Sequence, residues 1–311
     1  MKKYDVLAIG ELNVDMILTG LKSMPILGRE IIAQSCSVVL GSSTAICASG
    51  VARLGLKTGF VGKIGNDRFG DVVMQSLVKN GIDVSKVVVD NSINTGITIA
   101  LNKDKDRALV TYMGSIDALK FEDIDVELVK NARHIHVGSY FLQNNLRPKI
   151  TKLFEIAQEN GVTTSLDAGW DDTLDWNYGI FDALKHTDIF LPNEGEALNI
   201  TKEDTVEKAV LVLAKYAKKV VIKCGTKGAI GKSGDLTINQ GTFDLKPIDT
   251  TGAGDSFNAG FIYGFLKGYD FEKSITIGNA CGAISVTRIG GASSCATLQE
   301  VEELIKKNIR G

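Results

Sequence analysis

The residues Asp249-Thr250-Thr251-Gly252-Ala253-Gly254-Asp255-Ser256-Phe257 carry the densest chemistry in the chain. Two carboxylates bracket a Gly-Ala-Gly turn, and an apolar run follows: Phe257, Ala259, Phe261, Ile262, Phe265 and Leu266. Apolar side chains on nearly every face of that run predict a buried helix. The turn then lies at its N-terminus, where N–H groups and the positive end of the helix dipole point outward. Such a terminus binds anions, phosphate most commonly. Asp255, in the first turn, is close enough to act on whatever is held there, and the dipole predicts an ionised carboxylate. The same residue types also make an ordinary helix cap.

Other residues could do chemistry. Glu11-Leu12-Asn13-Val14-Asp15 follows the apolar run Val6–Gly10, so Asn13 and Asp15 point the same way if the segment is extended. Polar groups past the C-terminal end of a strand commonly face a ligand crevice, although a capped turn fits too. Asn193-Glu194-Gly195-Glu196 follows Ile189-Phe190-Leu191-Pro192. Its oxygens suit hydrated Mg2+, and its spacing equally suits a capping box on a new helix. Gly225-Thr226-Lys227-Gly228-Ala229-Ile230-Gly231-Lys232-Ser233 mimics a phosphate-binding P-loop. Its glycines are one residue too far apart, and a turn and another strand follow instead of a helix. His134 and His136 alternate on a strand with no further ligands indicated, so they read as structural. No serine sits in a G-x-S-x-G elbow, and the first strand lacks the G-x-G-x-x-G of dinucleotide folds.

Strand-like runs at His134–Val137, Val162–Leu166, Asp188–Leu191 and Val220–Lys223 alternate with helical segments. That alternation predicts an α/β fold, with a mostly parallel central sheet covered by helices on both faces. Gly41-Ser42-Ser43-Thr44 opens a helix of small residues that stops at Gly55, and another helix runs from Asp67 to Lys79. Ile31-Ile32 and Val38-Val39 suggest small extra strands. Thr95–Leu101 and Arg107–Tyr112 suggest a hairpin around Asn102-Lys103-Asp104-Lys105-Asp106. With no repeat or long linker, one domain over 1–311 is expected, with strands inserted at about 12–40 and 94–113.

The 311 residues can bury a large core. A formal net charge of −2 gives no footprint for nucleic acid. No apolar run reaches the roughly 20 residues that span a bilayer, and Met1-Lys2-Lys3-Tyr4-Asp5 does not open a signal peptide. Cys36, Cys47, Cys224, Cys281 and Cys295 are dispersed and odd in number, as reduced cytoplasmic thiols are.

Taken together, these motifs resemble the ribokinase-like (PfkB) carbohydrate kinases, in the family's order and over essentially the whole chain. Asp249–Phe257 matches the family's C-terminal signature. Gly10–Asp15, the Gly41-to-Gly55 helix, Gly62-Lys63-Ile64-Gly65-Asn66-Asp67, Asn193-x-x-Glu196 and the Gly225–Gly228 turn match earlier markers. The resemblance implies ATP-dependent phosphorylation of a hydroxyl on a small sugar or sugar derivative. Asp255 is then the general base, and the N–H groups of Gly252, Ala253 and Gly254 form the anion hole. Asn13, Asp15, Gly41, Ser42 and Gln143 would bind the sugar. Asn193, Lys223, Gly225, Thr226, Gly228 and Asn279 would line the nucleotide site. Asn193 and Glu196 would organise Mg2+ through water, while Asp249 and Thr251, with the Arg288–Ser294 loop, resemble a K+ site. The inserted strands match a lid that pairs subunits into a homodimer. The family's usual Gly-Gly pair and sugar-contacting asparagine are here Gly41-Ser42 and Ile46, a departure that argues against ribose itself. A nucleoside kinase on the same scaffold, or a sensor that binds sugar without turnover, are the alternatives.

Overall fold

Strands buried on both faces carry near-continuous apolar side chains, and such strands assemble in parallel beneath covering helices. The computed structural model describes residues 2–103 and 106–309, so Met1, Asp104-Lys105 of the expected turn, Arg310 and Gly311 fall outside it. Among the described residues, nine strands form the main sheet. Their order is Leu236–Gln240, Ala229–Ser233, Lys219–Lys223, Ile189–Phe190, Thr163–Leu166, Ala132–Val137, Tyr4–Ile9, Thr58–Gly65 and Asp83–Asp90. The pairings are parallel except where Ala229–Ser233 joins its two neighbours. That antiparallel step places Gly225–Lys227 in a tight turn between two strands, which no P-loop occupies.

Two apolar layers cover the sheet. On one side Leu7, Ile9, Ile135 and Val137 meet the helix Ile150–Glu159 through Leu153 and Phe154. On the other, Val6, Ile189 and Val221 meet Phe257, Phe261 and Ile262 of the helix Ala253–Leu266, along with the helix Phe271–Ser285. Burial thus selects the expected α/β sandwich.

A second sheet of four strands is ordered Ser35–Leu40, Asn13–Thr19, Gly96–Lys103 and Asp106–Tyr112. Asn13 pairs with Gly96 and Asp15 with Thr98, which carries the chain directly from the main sheet into the small one. Ile31-Ile32 is not a strand: no ladder reaches it, and Ile32 is 81% exposed. Its β-branched pair has propensity without a partner, which a strand cannot survive on.

The helix Ser43–Arg53 begins at Ser42, whose φ of +68° and ψ of 118° belong to a region glycine takes without strain. Its hydroxyl offsets that strain. Ser42 Oγ accepts from Ala45 N at 2.9 Å and donates to the Glu11 carbonyl at 2.7 Å. Ser42→Ala keeps the strain and loses both bonds, so denaturant unfolding should show a loss of about 1–2 kcal/mol, whereas Ser42→Gly should cost only a few tenths. Equal losses in the two variants would show that the hydroxyl does not offset the strain.

Candidate active site

The helix Ala253–Leu266 starts from Gly252 at φ +74°, and no side chain caps it. A Cβ on Gly252 would lie 3.0 Å from Gly291 Cα and 3.1 Å from Ile46 Cγ2, in addition to the unfavourable backbone angle. Only glycine fits there. The first-turn N–H groups therefore open into a cleft of about 380 Å³ lined by Asp167, Trp170, Asn193, Glu196, Lys223 and Asp255, among others.

Lys223 stands beneath this turn. Its Nζ is 2.7 Å from Asp167 Oδ2 and 3.1 Å from Asn258 Oδ1, and Asn258 Nδ2 donates to the same Asp167 oxygen at 2.8 Å. Burial alone would raise the Asp167 pKa, but the Lys223 ammonium and Asn258 outweigh it and hold the carboxyl below its usual range. Asp255 is shifted the other way. It is half-buried at the cleft floor, where desolvation, then Asp167, with smaller pushes from Glu11 and Glu196, raise its carboxyl well above the ordinary value; Lys223 opposes them. That shift opposes the ionised Asp255 expected from the helix dipole, because desolvation first, and then the neighbouring carboxylates, favour the protonated form. Glu196 is pushed up to about 7 by burial and by Asp167.

Glu11 ties the cleft walls together. It is fully buried and accepts from Thr44 N at 3.1 Å, Thr44 Oγ1 at 2.5 Å and Ser139 Oγ at 3.0 Å. Beside it, Asn13 Nδ2 donates to Asp15 Oδ1 at 3.1 Å. A Cβ on Gly41 would fall 2.4 Å from that same oxygen. Asn13, Asp15, Ser42, Ile46 and Asp255 all line a cavity of about 590 Å³ between the two sheets. Gly41 abuts the Asn13–Asp15 pair without lining the cavity. Gln143 does not line it either: its side chain is buried, with Nε2 donating to the Gly138 carbonyl and Oε1 without a partner among the described residues.

A third cavity, about 270 Å³, is lined by Lys223, Gly225, Thr226, Gly228 and Asn279, with Phe243, Leu245 and Val286 among its apolar walls. Asn193 caps the helix Glu194–Thr201. Its Nδ2 and N donate to the two Glu196 carboxylate oxygens at 2.6 and 2.8 Å, while Glu196 N donates back to Asn193 Oδ1 at 2.9 Å. Asp249 accepts from Thr251 N and from Gly290 N, both at 2.9 Å, which joins the signature to the Arg288–Ser294 loop. His134 and His136 are buried on Ser165 Oγ at 2.7 and 2.8 Å, and burial lowers them to about 3 and about 4, so both are neutral near pH 7. Sequence reasoning missed Glu11, Asp167 and Trp170. Asp167 carried a usable signal, since Leu166-Asp167 is a polar residue just past a buried strand.

With this geometry established, comparison with known proteins identifies the class. The model of the pfkB family carbohydrate kinases matches residues 3–298, and the chain belongs to that family. It is a carbohydrate kinase. A sugar kinase of Archaeoglobus fulgidus is 30% identical over 78% of this chain and 96% of its own length. A 5-dehydro-2-deoxygluconokinase of Clostridium perfringens is 28% identical over 98% of this chain and 94% of its own. Among solved structures, Arabidopsis thaliana ribokinase complexed with ribose and ATP superposes with a TM-score of 0.84, at 25% identity, covering 97% of this chain and 99% of its own.

Breaking a buried ion pair leaves one charge uncompensated. Lys223→Met should therefore destabilise the fold by about 3–5 kcal/mol, and Lys223→Met with Asp167→Leu should recover most of that loss. Denaturant unfolding of these two variants and of Asp167→Leu alone checks this; strictly additive losses would show that the pair is not coupled.

Proposed function

We propose that the protein transfers the γ-phosphoryl group of ATP to a hydroxyl of a small sugar or sugar derivative, with Asp255 as the general base. One observation carries this reading: Asp255 lines both the cavity between the sheets and the cleft holding the uncapped helix N-terminus. An acceptor hydroxyl positioned by Asn13 and Asp15 meets the base on one side and the phosphoryl group on the other. Asp255 takes the hydroxyl proton as its oxygen bonds to phosphorus. The N–H groups of Gly252, Ala253 and Gly254 stabilise charge on the transferring group, a role that needs no reorganisation because the helix fixes them.

The nucleotide lies in the cavity lined by Gly225, Thr226, Gly228 and Asn279, where Phe243, Leu245 and Val286 offer apolar contact to a base. Lys223 borders that cavity and the cleft, so its ammonium sits where the phosphates pass. Asn193 and Glu196 present oxygens to the cleft and would hold hydrated Mg2+ through water, consistent with a hard cation that keeps its shell. Bound Mg2+ supplies charge neutralisation on the phosphates. A protein of Escherichia coli described as a ribokinase II, 26% identical to this chain, binds ATP and Mg2+ together.

Of the lid residues lining the acceptor cavity, Asn13, Asp15, Ile17, Thr98, Ala100, Leu109 and Thr111, none is aromatic, so the lid supplies no ring to stack a nucleoside base; the aromatic Trp170 enters the cavity from the main-sheet side. Ile46 offers that cavity an apolar wall in place of an amide. An acceptor lacking one hydrogen-bonding group suits it, and relatives named 5-dehydro-2-deoxygluconokinase point the same way. We also propose one kinase domain with the small sheet as its lid. Exposed Val38, Val110 and Tyr112 on that sheet support a lid-paired homodimer. K+ at Asp249 and Thr251, and a cytoplasmic enzyme with free thiols, complete the reading.

ADP release across pentoses, hexoses, sugar acids and nucleosides tests the function directly. Asp255→Asn should lower kcat by orders of magnitude on the accepted compound while its binding survives; an undiminished kcat removes Asp255 from the base role. The pH dependence gives an independent check. A base acts only when deprotonated, so the raised Asp255 carboxyl places the acid limb of kcat/KM above the usual carboxylate value of about 4. Glu11→Gln removes a nearby negative charge and should move that limb to lower pH; a limb that stays in place would show Glu11 has no hold on it.

A further inference from the structure

The loop that follows the strand Thr163–Leu166 is pinned at many points. Asp171 accepts from Thr173 N at 3.0 Å, Thr173 Oγ1 at 2.8 Å and Trp176 N at 2.6 Å. Trp176 is buried and meets Phe141 edge-on at 5.4 Å. Tyr140 Oη donates to the Tyr178 carbonyl at 2.9 Å, and the Arg147 guanidinium lies 4.3 Å over the Tyr178 ring. Within this frame three non-glycine residues take left-handed backbone: Leu174 at φ +62°, Trp176 at +59° and Tyr178 at +35°. Each costs on the order of 1–3 kcal/mol, and such strain persists only where the surroundings impose it.

What the loop presents is Trp170. Its indole packs edge-on against Trp176 at 4.9 Å, yet the residue is 54% exposed. It lines both the acceptor cavity and the phosphoryl cleft, and approaches within 4.0 Å of where a Gly195 Cβ would be. A large apolar face held in one orientation beside a polar pair of sugar ligands has a specific use. Sugars carry C–H faces that lie on aromatic rings, while their hydroxyls reach outward to hydrogen-bonding groups. The polar groups in the same cavity, Asn13 and Asp15, belong to the small sheet, and Trp170 belongs to the main-sheet side.

We propose that Trp170 is the stacking platform for the acceptor, taking the C–H face of a sugar or sugar-acid ring whose hydroxyls are read by Asn13 and Asp15. The proposal deepens the kinase reading and rests on it for the identity of the ligand. It makes Trp170 a binding residue, so its removal acts on acceptor affinity and leaves the phosphoryl-transfer groups in place. A role in shielding the cleft from water would instead lower kcat and raise ATP hydrolysis without acceptor.

The test uses the full chain, the accepted compound from the ADP-release panel, and intrinsic fluorescence. The chain has two tryptophans, Trp170 and buried Trp176. Acceptor alone should change the wild-type emission, and Trp170→Phe should lose that change. Trp170→Ala should raise the acceptor KM by about tenfold or more, with kcat and the KM for ATP within about twofold, while Trp170→Phe should recover most of the affinity. An unchanged acceptor KM in Trp170→Ala, or a loss confined to kcat, overturns the proposal. The two readings separate cleanly. Turnover without an emission change removes the platform and keeps the kinase; an emission change without turnover of any panel compound does the reverse. If neither occurs, both fall.

Discussion

One ammonium group allows this cleft to exist. Asp167, Asp255, Glu11 and Glu196 act on one another electrostatically in a poorly solvated cleft, and like charges so placed repel. Lys223, locked between Asp167 and Asn258, offsets that repulsion from below, and the positive end of the helix Ala253–Leu266 offsets it from the side. The balance is incomplete. Asp167 stays ionised, whereas Asp255 and Glu196 are pushed upward. A cleft in that state has room for added positive charge, which a hard cation accompanying a phosphate-bearing substrate would bring.

The second organising centre is Glu11. A buried carboxylate needs several donors to be tolerated, and Glu11 finds them on the helix Ser43–Arg53 and the loop after Ala132–Val137. By satisfying one group, the chain draws three segments together and sets Ile46 against Gly252 and Gly291. The strained Ser42 backbone belongs to the same arrangement. The position of the apolar wall beside Asp255 is therefore tied to the polar network around Glu11 that lines the same cavity.

Much of the architecture was legible in the chain. Buried parallel strands announce themselves as short apolar runs, and the run after Asp255 could only be a covered helix. The glycine turn was legible for the same reason: its residue types admit few backbone conformations. Ile31-Ile32 misled because strand propensity is realised only by a partner, and none lies beside it. Gln143 misled because an amide near a strand end can turn inward as easily as outward, and here Gly138 accepts it.

By itself, the sequence determined the layered α/β fold, the glycine turn opening a buried helix and the family to which the chain belongs, because these follow from local periodicity and from motifs contiguous in the chain. Only the tertiary structure decided which carboxylates surround Asp255, the Lys223–Asp167–Asn258 triangle and the exposed station of Trp170. Those depend on groups separated by up to hundreds of positions, whose interactions fall off within a few ångströms and so come into being only when the fold closes the distance.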